Sequence, residues 1–253
     1  MSVLRVDLLH GASASTWARD VLGFDPDPVQ ARVLDSRARR GHLRCCRQWG
    51  KSTVTAVRSL HRAWFRPGSL VLVTAPAERQ SNEWLRKVEH FAARCGVDPR
   101  GDGQNAVSLL LPNSSRLVGL PMRHQTTRAF GGAAALLVDE AAFYDDLVYK
   151  SMRAFVATSG GDIWLMSSAG PRSGFFFDSS EFGRSTARWE RHIVPATSCP
   201  RLSAEFLAEE RRELGERMFE REYMCQFIDE GPGSAFGGGL DSLLDAEVER
   251  LCV

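Results

Sequence analysis

Lysine is scarce in this chain of 253 residues. It occurs only at positions 51, 87 and 150, which leaves 29 arginines among the 32 basic residues. Acidic residues nearly cancel the basic ones, and the net charge of +1 provides no overall field that would attract nucleic acid. Any contact with DNA must therefore come from a local basic patch.

Several kinds of segment are also missing. No apolar run approaches the roughly 18 residues of a membrane span, and the N-terminus has no basic region followed by an apolar stretch. The six cysteines, at 45, 46, 95, 199, 225 and 252, show no paired zinc spacing. We therefore expect a cytoplasmic protein with reduced thiols and no membrane contact. The length and the hydrophobic content of 43% suit one large domain, or a domain with a small appendage.

One of the few lysines lies where a phosphate-binding loop requires it. A short apolar strand pattern leads into residues 47–53, Arg-Gln-Trp-Gly-Lys-Ser-Thr, and a helical pattern follows. In this context the loop N–H groups and the helix N-terminus form an anion site. Lys51 would reach the β and γ phosphates of ATP, and Ser52 would ligate Mg²⁺. Only Gly50, Lys51 and Ser52 follow the standard pattern, because Cys45 occupies the place of its first glycine.

Strands and helices alternate along most of the chain. Apolar runs predict strands at 43–46, 69–75, 107–111, 116–120, 134–139 and 163–168. Helical periodicity predicts helices at 15–22, 28–39, 52–66 and 78–95. From 201 to 227 the pattern indicates two further helices, with Ser203 as N-cap. The alternation favours an α/β fold with a mainly parallel central sheet and helices on both faces.

A later apolar strand ends in two carboxylates, Asp139 and Glu140, at the edge where such sheets bind ligands. Asp139 would hold Mg²⁺, directly or through water, and Glu140 would orient and deprotonate the attacking water. Acidic strand ends are common, but their combination with an earlier Gly-Lys-Ser loop indicates an NTPase. The next strand ends in Ser167, Ser168 and Ala169, small residues that could sense the γ-phosphate and relay its loss.

Together these segments resemble the N-terminal ATPase domain of the large terminase subunit of tailed bacteriophages. The resemblance extends over about 24–236, and the segments that carry it are 27–30, 47–52, 137–141, 167–171 and 219–227. In that family the phosphate loop often lacks its first glycine and has Arg-Gln shortly before the Gly-Lys-Ser. Cys45, at the place of that glycine, therefore fits the resemblance. It implies a P-loop NTPase fold of the ASCE type that uses ATP and Mg²⁺.

The resemblance also implies roles for single residues. Gln30 would hydrogen-bond the adenine edge, and Arg47 could touch the γ-phosphate. Arg128 would be donated to the ATP of a neighbouring subunit as an arginine finger, with Arg123 as a rival. Such donation requires a ring, which implies a homo-oligomer with head-to-tail contacts. The predicted nucleotide-binding residues are Gln30, Gln48, Trp49, Gly50, Lys51, Ser52 and Thr53, and the predicted catalytic residues are Arg47, Lys51, Arg128 and Glu140.

The resemblance further implies a domain plan and a set of partners. We expect an ATPase core at 1–200, a small helical lid or linker subdomain at 201–236, and a linker tail at 237–253 toward a nuclease domain that is absent. The expected partners are double-stranded DNA contacted through its backbone, the portal that carries the ring, and a small terminase subunit, in the host cytoplasm. Candidate basic clusters for the DNA are Arg37, Arg39 and Arg40; Arg58, Arg62 and Arg66; and Arg184 and Arg188.

Two other functions stay open. A helicase or other nucleic-acid translocase would use the same nucleotide motifs, but common helicases carry a second ATPase-like domain for which this chain has no room. A nucleotide-gated assembly module would bind ATP and dock to a portal or a small DNA-recognition subunit, with little turnover of its own.

Overall fold

A mostly parallel β-sheet forms the centre of the molecule. The computed structural model describes residues 3–121, 130–181, 184–185 and 187–229. The strands are β1 (Arg40–Cys45), β2 (Leu70–Ala75), β3 (Ser108–Leu110), β4 (Arg116–Pro121), β5 (Ala135–Asp139), β6 (Asp162–Ser167) and β7 (Glu190–Val194). Their order in the sheet is β3-β4-β2-β5-β6-β1-β7. Within the described residues β3 pairs antiparallel with β4, and the other strand pairs are parallel.

Helices cover both faces of the sheet. They are α1 (Val3–Ala12), α2 (Ala14–Asp20), α3 (Pro28–Asp35), α4 (Lys51–Phe65), α5 (Glu78–Arg94), α6 (Asp146–Met152), α7 (Gly174–Ser180) and α8 (Ala204–Glu222). Single turns of 3-10 helix lie at Ala141–Phe143, Arg153–Val156 and Ala196–Ser198. In the described part of the chain, no helix is long and apolar enough to cross a bilayer.

Alternating strand residues supply two separate cores. Val71 and Val73 of β2 pack with the core that includes α4 and α5, whereas Leu72 packs with the core that includes α6 and α7. The same alternation holds in β6, where Ile163 and Trp164 belong to opposite cores. Strands buried on both faces read as continuous apolar runs, which is why the sequence reveals them.

The predicted α/β fold with a mainly parallel sheet is confirmed, and the differences are local. The helix predicted at 28–39 ends at Asp35, because Ser36 leaves the helical conformation and its side chain accepts a hydrogen bond from the Ala38 N–H at 3.1 Å. The strand predicted at 43–46 begins earlier, at Arg40. In α8 the backbone breaks at Gly215 (φ 72°, ψ 160°), in line with the two helices predicted there, and Ser203 is the N-cap.

The sheet order brings the sequence motifs to one edge. The phosphate loop follows β1, the Asp-Glu pair ends β5, and Ser167 ends β6. All three strands are parallel, and β6 lies between β1 and β5. Because parallel strands end at the same edge, this edge is where a ligand would bind.

Candidate active site

The phosphate loop has an unusual backbone that leaves the start of α4 uncapped. Gln48 (φ 61°) and Gly50 (φ 96°) both adopt the left-handed region. That conformation is free of strain for Gly50, whereas at Gln48 it costs on the order of 1 kcal/mol. Gly50 is the N-cap of α4 and supplies no side chain, so the first turn, which includes Ser52 and Thr53, has no side-chain cap. An uncapped helix start next to such a loop is suited to bind an anion.

Lys51 bridges the two carboxylates that end β5. Its Nζ lies 3.0 Å from Asp139 Oδ1 and 2.7 Å from Glu140 Oε1. Burial alone would lower the pKa of Lys51, but the charges of Asp139 and Glu140 outweigh burial and raise it above its ordinary value. The ammonium is therefore held charged between the loop and the acidic pair.

Glu140 is held by three contacts and by its own backbone. It lies in the left-handed region (φ 51°, ψ 41°), directly after the last residue of β5. Oε1 accepts from Lys51, Oε2 accepts from the Ser167 hydroxyl at 3.3 Å, and its N–H donates to Asp139 Oδ1 at 3.0 Å. A non-glycine residue in this conformation costs on the order of 1–3 kcal/mol and is found most often at functional sites.

Gln30 reaches the phosphate loop from α3. Its Nε2 donates to the Trp49 carbonyl at 3.0 Å, and its Oε1 accepts from the Asp27 N–H at 3.0 Å. Its side chain is buried, and both of its polar groups are therefore already in use. The Trp49 side chain is buried as well, so Trp49 faces the loop through its backbone.

Arg201 is a site residue that the sequence analysis missed. Its Nη2 donates to the same Trp49 carbonyl at 2.5 Å and contacts Asp27 Oδ2 at 3.1 Å. The carbonyl that precedes Gly50 thus receives two side-chain donors, from α3 and from the chain just before α8. No local pattern marks Arg201, because the contact spans most of the chain.

Arg47 contacts the end of α8. Its Nε lies 2.9 Å from Glu222 Oε2, and its N–H donates to the Glu222 carbonyl at 3.1 Å. Arg221 Nη2 lies 2.7 Å from the other oxygen, Glu222 Oε1. Burial would raise the pKa of Glu222, but these two arginines outweigh burial and lower it. The phosphate loop is therefore connected to the C-terminal end of α8.

The loop after β6 contacts the same segment. Gly170 accepts from the Ile228 N–H at 3.1 Å, and the Arg172 N–H donates to the Ile228 carbonyl at 3.1 Å. A side chain at Gly170 would clash with Ala142, since its Cβ would lie 2.7 Å from the Ala142 Cβ. Ser168 and Ala169, just before this point, are buried. Residues 222–228 thus contact two of the motifs at this edge.

The structure brings most of the predicted residues together. Gln30, Lys51, Ser52, Asp139 and Glu140 converge at one edge of the sheet, with Ser167 against Glu140. Arg128 and its rival Arg123 lie outside the described residues.

The fold and the site together define a class of protein. A parallel sheet in which one strand separates the phosphate-loop strand from the Asp-Glu strand, with a lysine between loop and carboxylates, is that of a P-loop NTPase of the ASCE type. The chain belongs to the terminase large subunit family, because the family profile described as "Terminase large subunit, T4likevirus-type, N-terminal" matches residues 45–239. A search of curated protein sequences gave no significant match.

Solved structures of large terminases have the same fold. The large terminase ATPase domain of Thermus phage P74-26 is 20% identical, with a TM-score of 0.71 over 85% of this chain and 99% of that one. The large terminase of bacteriophage HK97 is 14% identical, with a TM-score of 0.67 over 86% of this chain and 55% of that one. A large terminase from a thermophilic bacteriophage, solved in complex with ADP, is 11% identical, with a TM-score of 0.63 over 79% of this chain and 53% of that one.

Proposed function

We propose that this chain is the ATP-hydrolysing motor domain of a viral DNA-packaging terminase, which moves double-stranded DNA into a procapsid. The observation that carries the proposal is the contact of Lys51 with both Asp139 and Glu140 beside an uncapped helix start. Membership of the terminase large subunit family supports it. So do the structures of a related large terminase in complex with ADP and with ATP-γ-S.

Lys51 is the residue that would respond first to a nucleotide. Its ammonium would exchange the carboxylates for the β and γ phosphates, which carry more negative charge in the same region. Ser52 and Asp139 offer the oxygen ligands that Mg²⁺ prefers. No cluster of three or more His, Cys, Asp or Glu side chains that could hold a metal ion occurs in the described part of the chain. That fits Mg²⁺, which keeps several waters and is bound through one or two side chains plus substrate phosphates. When bound, Mg²⁺ would neutralise charge on the phosphate oxygens.

Glu140 would act as the general base. Once Lys51 turns toward phosphate, Oε1 is free to accept a proton from water, while Ser167 holds Oε2 in place. The water oxygen then bonds to the γ phosphorus as the bond from that phosphorus to the β–γ bridging oxygen breaks. The proton goes to Glu140, and ADP and phosphate are the products. Of the other predicted loop residues, Gln48 would contribute its backbone N–H and Thr53 its hydroxyl, because the Thr53 N–H already donates to the Gly50 carbonyl at 3.0 Å.

Loss of the γ-phosphate would reach the end of α8 and the segment after it by two routes. One runs from Arg47, the proposed γ-phosphate contact, to Glu222. The other runs from Ser168 and Ala169 through Gly170 to Ile228. We assign the end of the chain after residue 200 to a lid that these contacts move relative to the 1–200 core; the parts of the predicted lid and tail beyond residue 229 lie outside the described residues.

The proposal includes the assembly in which the motor works. Arg128 from a neighbouring subunit would complete the site, so the active form would be a head-to-tail ring. That ring would bind the portal in the host cytoplasm and receive DNA from the small terminase subunit. It would contact the DNA through the phosphodiester backbone.

ATP hydrolysis by Glu140→Gln tests the proposed chemistry. The variant keeps the size of the side chain and its contact with Ser167 but cannot take a proton, so turnover should fall about 10²-fold or more while ATP still binds. Glu83→Gln, at an exposed glutamate on α5, is the matched control and should hydrolyse ATP at the wild-type rate. Wild-type turnover by Glu140→Gln would overturn the assignment of the base.

A further inference from the structure

A basic cleft lies at the edge of the sheet opposite the candidate active site. It has a volume of about 940 Å³, and its lining includes Leu70, Ala135 and Asp162, the first residues of β2, β5 and β6. The motifs of the active site follow the last residues of β1, β5 and β6. Strands of this length separate the two edges by about 15–20 Å. A ligand in the cleft would therefore not compete with ATP.

The cleft concentrates positive charge in a chain that is nearly neutral. Two basic clusters of the sequence, one before β1 and one on α4, meet there. The charged residues of its lining are Arg37, Arg39, Arg58, Arg62 and Arg66, against Asp35 and Asp162. Five guanidinium groups therefore face two carboxylates.

Both carboxylates are already engaged. Asp35 accepts from the Ser15 N–H at 2.9 Å and from the Ser15 hydroxyl at 2.5 Å, and Asp162 pairs with Arg62. Apart from Arg62, the arginines of the cleft form no ion pair with a carboxylate of the described residues. Arg58 stacks 4.1 Å over the Trp164 ring, and burial lowers its pKa to about 10. Arg39 and Arg58 already donate to backbone carbonyls, of Gly160 and of Val33 and Leu34 respectively, but no carboxylate of the described residues is in direct contact with these four guanidinium groups.

Three buried donors beside the cleft have no partner within the described part of the chain. Ser59 and Trp164 line the cleft and are only 2% and 1% exposed. Neither Ser59 Oγ nor Trp164 Nε1 has a hydrogen-bond partner among the described residues, and the same is true of Arg62 Nε. A buried donor left unpaired costs about 1–3 kcal/mol, so such groups usually meet a water or a ligand.

We propose that this cleft binds the phosphodiester backbone of duplex DNA. The exposed guanidinium groups of Arg37, Arg39 and Arg66 are hydrogen-bond donors at the mouth of the cleft, and phosphate oxygens are acceptors that guanidinium groups bind in pairs. Donors of this kind grip the backbone without reading bases, as a translocating motor requires. The inference rests on the proposed function, because only a DNA motor makes duplex DNA the expected polyanion.

The test compares two triple variants with equal loss of charge. Arg37→Gln, Arg39→Gln and Arg66→Gln together remove three exposed cations of the cleft. Arg79→Gln, Arg86→Gln and Arg212→Gln together remove three exposed cations elsewhere, as the control. Binding of a labelled duplex is measured by fluorescence anisotropy over a series of salt concentrations, and thermal melts check that both variants fold.

We expect the cleft variant to bind DNA on the order of 10²-fold more weakly than wild type at ~0.1 M salt. Loss of three phosphate contacts should flatten the plot of log affinity against log salt by about three. The control variant should keep most of the wild-type affinity and slope. Hydrolysis of ATP without DNA should be unchanged in the cleft variant, since the cleft is remote from Lys51.

Several outcomes would overturn the proposal. Equal DNA binding by the two triple variants would exclude the cleft as the DNA site. Binding of inorganic pyrophosphate that is lost in the cleft variant, with unchanged duplex binding, would assign the cleft to small anions instead. A poly-glutamate peptide that binds wild type and not the cleft variant, again with unchanged duplex binding, would assign it to an acidic protein. Failure of the proposed function would look different, because wild type would then neither hydrolyse ATP nor bind duplex DNA.

Discussion

Lys51→Ala should destabilise the protein even when no nucleotide is present. The substitution removes the cation that lies between Asp139 and Glu140. A hydrogen bond to a charged group contributes about 1.5–3 kcal/mol. These three side chains are 15%, 11% and 27% exposed, so solvent screens part of the two contacts. We expect a loss of about 2–3 kcal/mol in the free energy of unfolding, which lowers Tm by about 4–10 °C for a chain of this size.

The loss should depend on pH in a defined direction. Without Lys51, no cation lies between the two carboxylates, and their mutual repulsion disfavours the folded state while both are charged. Acid lowers the negative charge of the pair, so this cost decreases as the pH falls. The Tm difference between Lys51→Ala and wild type should therefore be largest near pH 8 and smaller near pH 5.

Thermal unfolding in the presence of a chelator measures this effect. Lys150→Ala, at an exposed lysine, is the matched control and should keep the wild-type Tm. Glu140→Gln in the Lys51→Ala background should recover part of the loss, because it removes one of the two like charges. A Tm for Lys51→Ala equal to that of wild type, or a difference that grows as pH falls, would refute the reasoning.

Three further predictions concern the surroundings of the phosphate loop. Gln30→Ala should weaken the binding of ATP and of tripolyphosphate alike, by about 5–30-fold, because the Gln30 amide hydrogen-bonds the Trp49 carbonyl of the phosphate loop. If calorimetry shows weaker binding of ATP alone, Gln30 acts only through the adenine ring. Glu222→Gln should lower Tm by a few degrees and speed hydrogen exchange in the phosphate loop, since Arg47 loses its charged partner; unchanged exchange would show that this tie is dispensable. Removal of Mg²⁺ with a chelator should abolish hydrolysis in wild type, and persistent turnover would contradict the proposed use of Ser52 as a metal ligand.

The sequence predicts those parts of the site that are contiguous in the chain. The phosphate loop and the Asp139–Glu140 pair each sit at the end of a strand buried on both faces, whose apolar run is strong and short. Parallel strands end at one edge, so the pattern also predicts that these motifs meet. The family profile and the sheet order confirm the fold on which that prediction depends.

Sequence patterns do not predict contacts between segments that are distant in the chain, and the reasons are physical. Arg201 and Glu222 meet the phosphate loop only after the chain has folded, and neither carries a local pattern. Strand β7 was missed because it lies at the edge of the sheet, where its residues are mostly not buried and leave no apolar run. No local pattern predicts the contacts of Arg58 either, since its guanidinium lies over the Trp164 ring and donates to the Val33 carbonyl at 2.8 Å.

The sequence identifies Lys51 as a ligand of phosphate but does not predict its contacts within the protein. In the structure its ammonium contacts Asp139 and Glu140, the two carboxylates expected to handle Mg²⁺ and water. This arrangement follows from charge, because a buried lysine between two acids is stable only when it is paired.

ATP hydrolysis as a function of protein concentration tests the central claim most directly. Wild type is measured alone, beside Arg128→Ala, and in mixtures with Glu140→Ala at varied ratios. For a ring motor with a shared site, specific activity should rise steeply with protein concentration and should be lost in Arg128→Ala. In the mixtures, Glu140→Ala subunits should lower the activity by more than their share of the total protein. A flat specific activity that Arg128→Ala leaves intact, with mixtures that follow simple dilution, would contradict the account and indicate a self-contained ATPase.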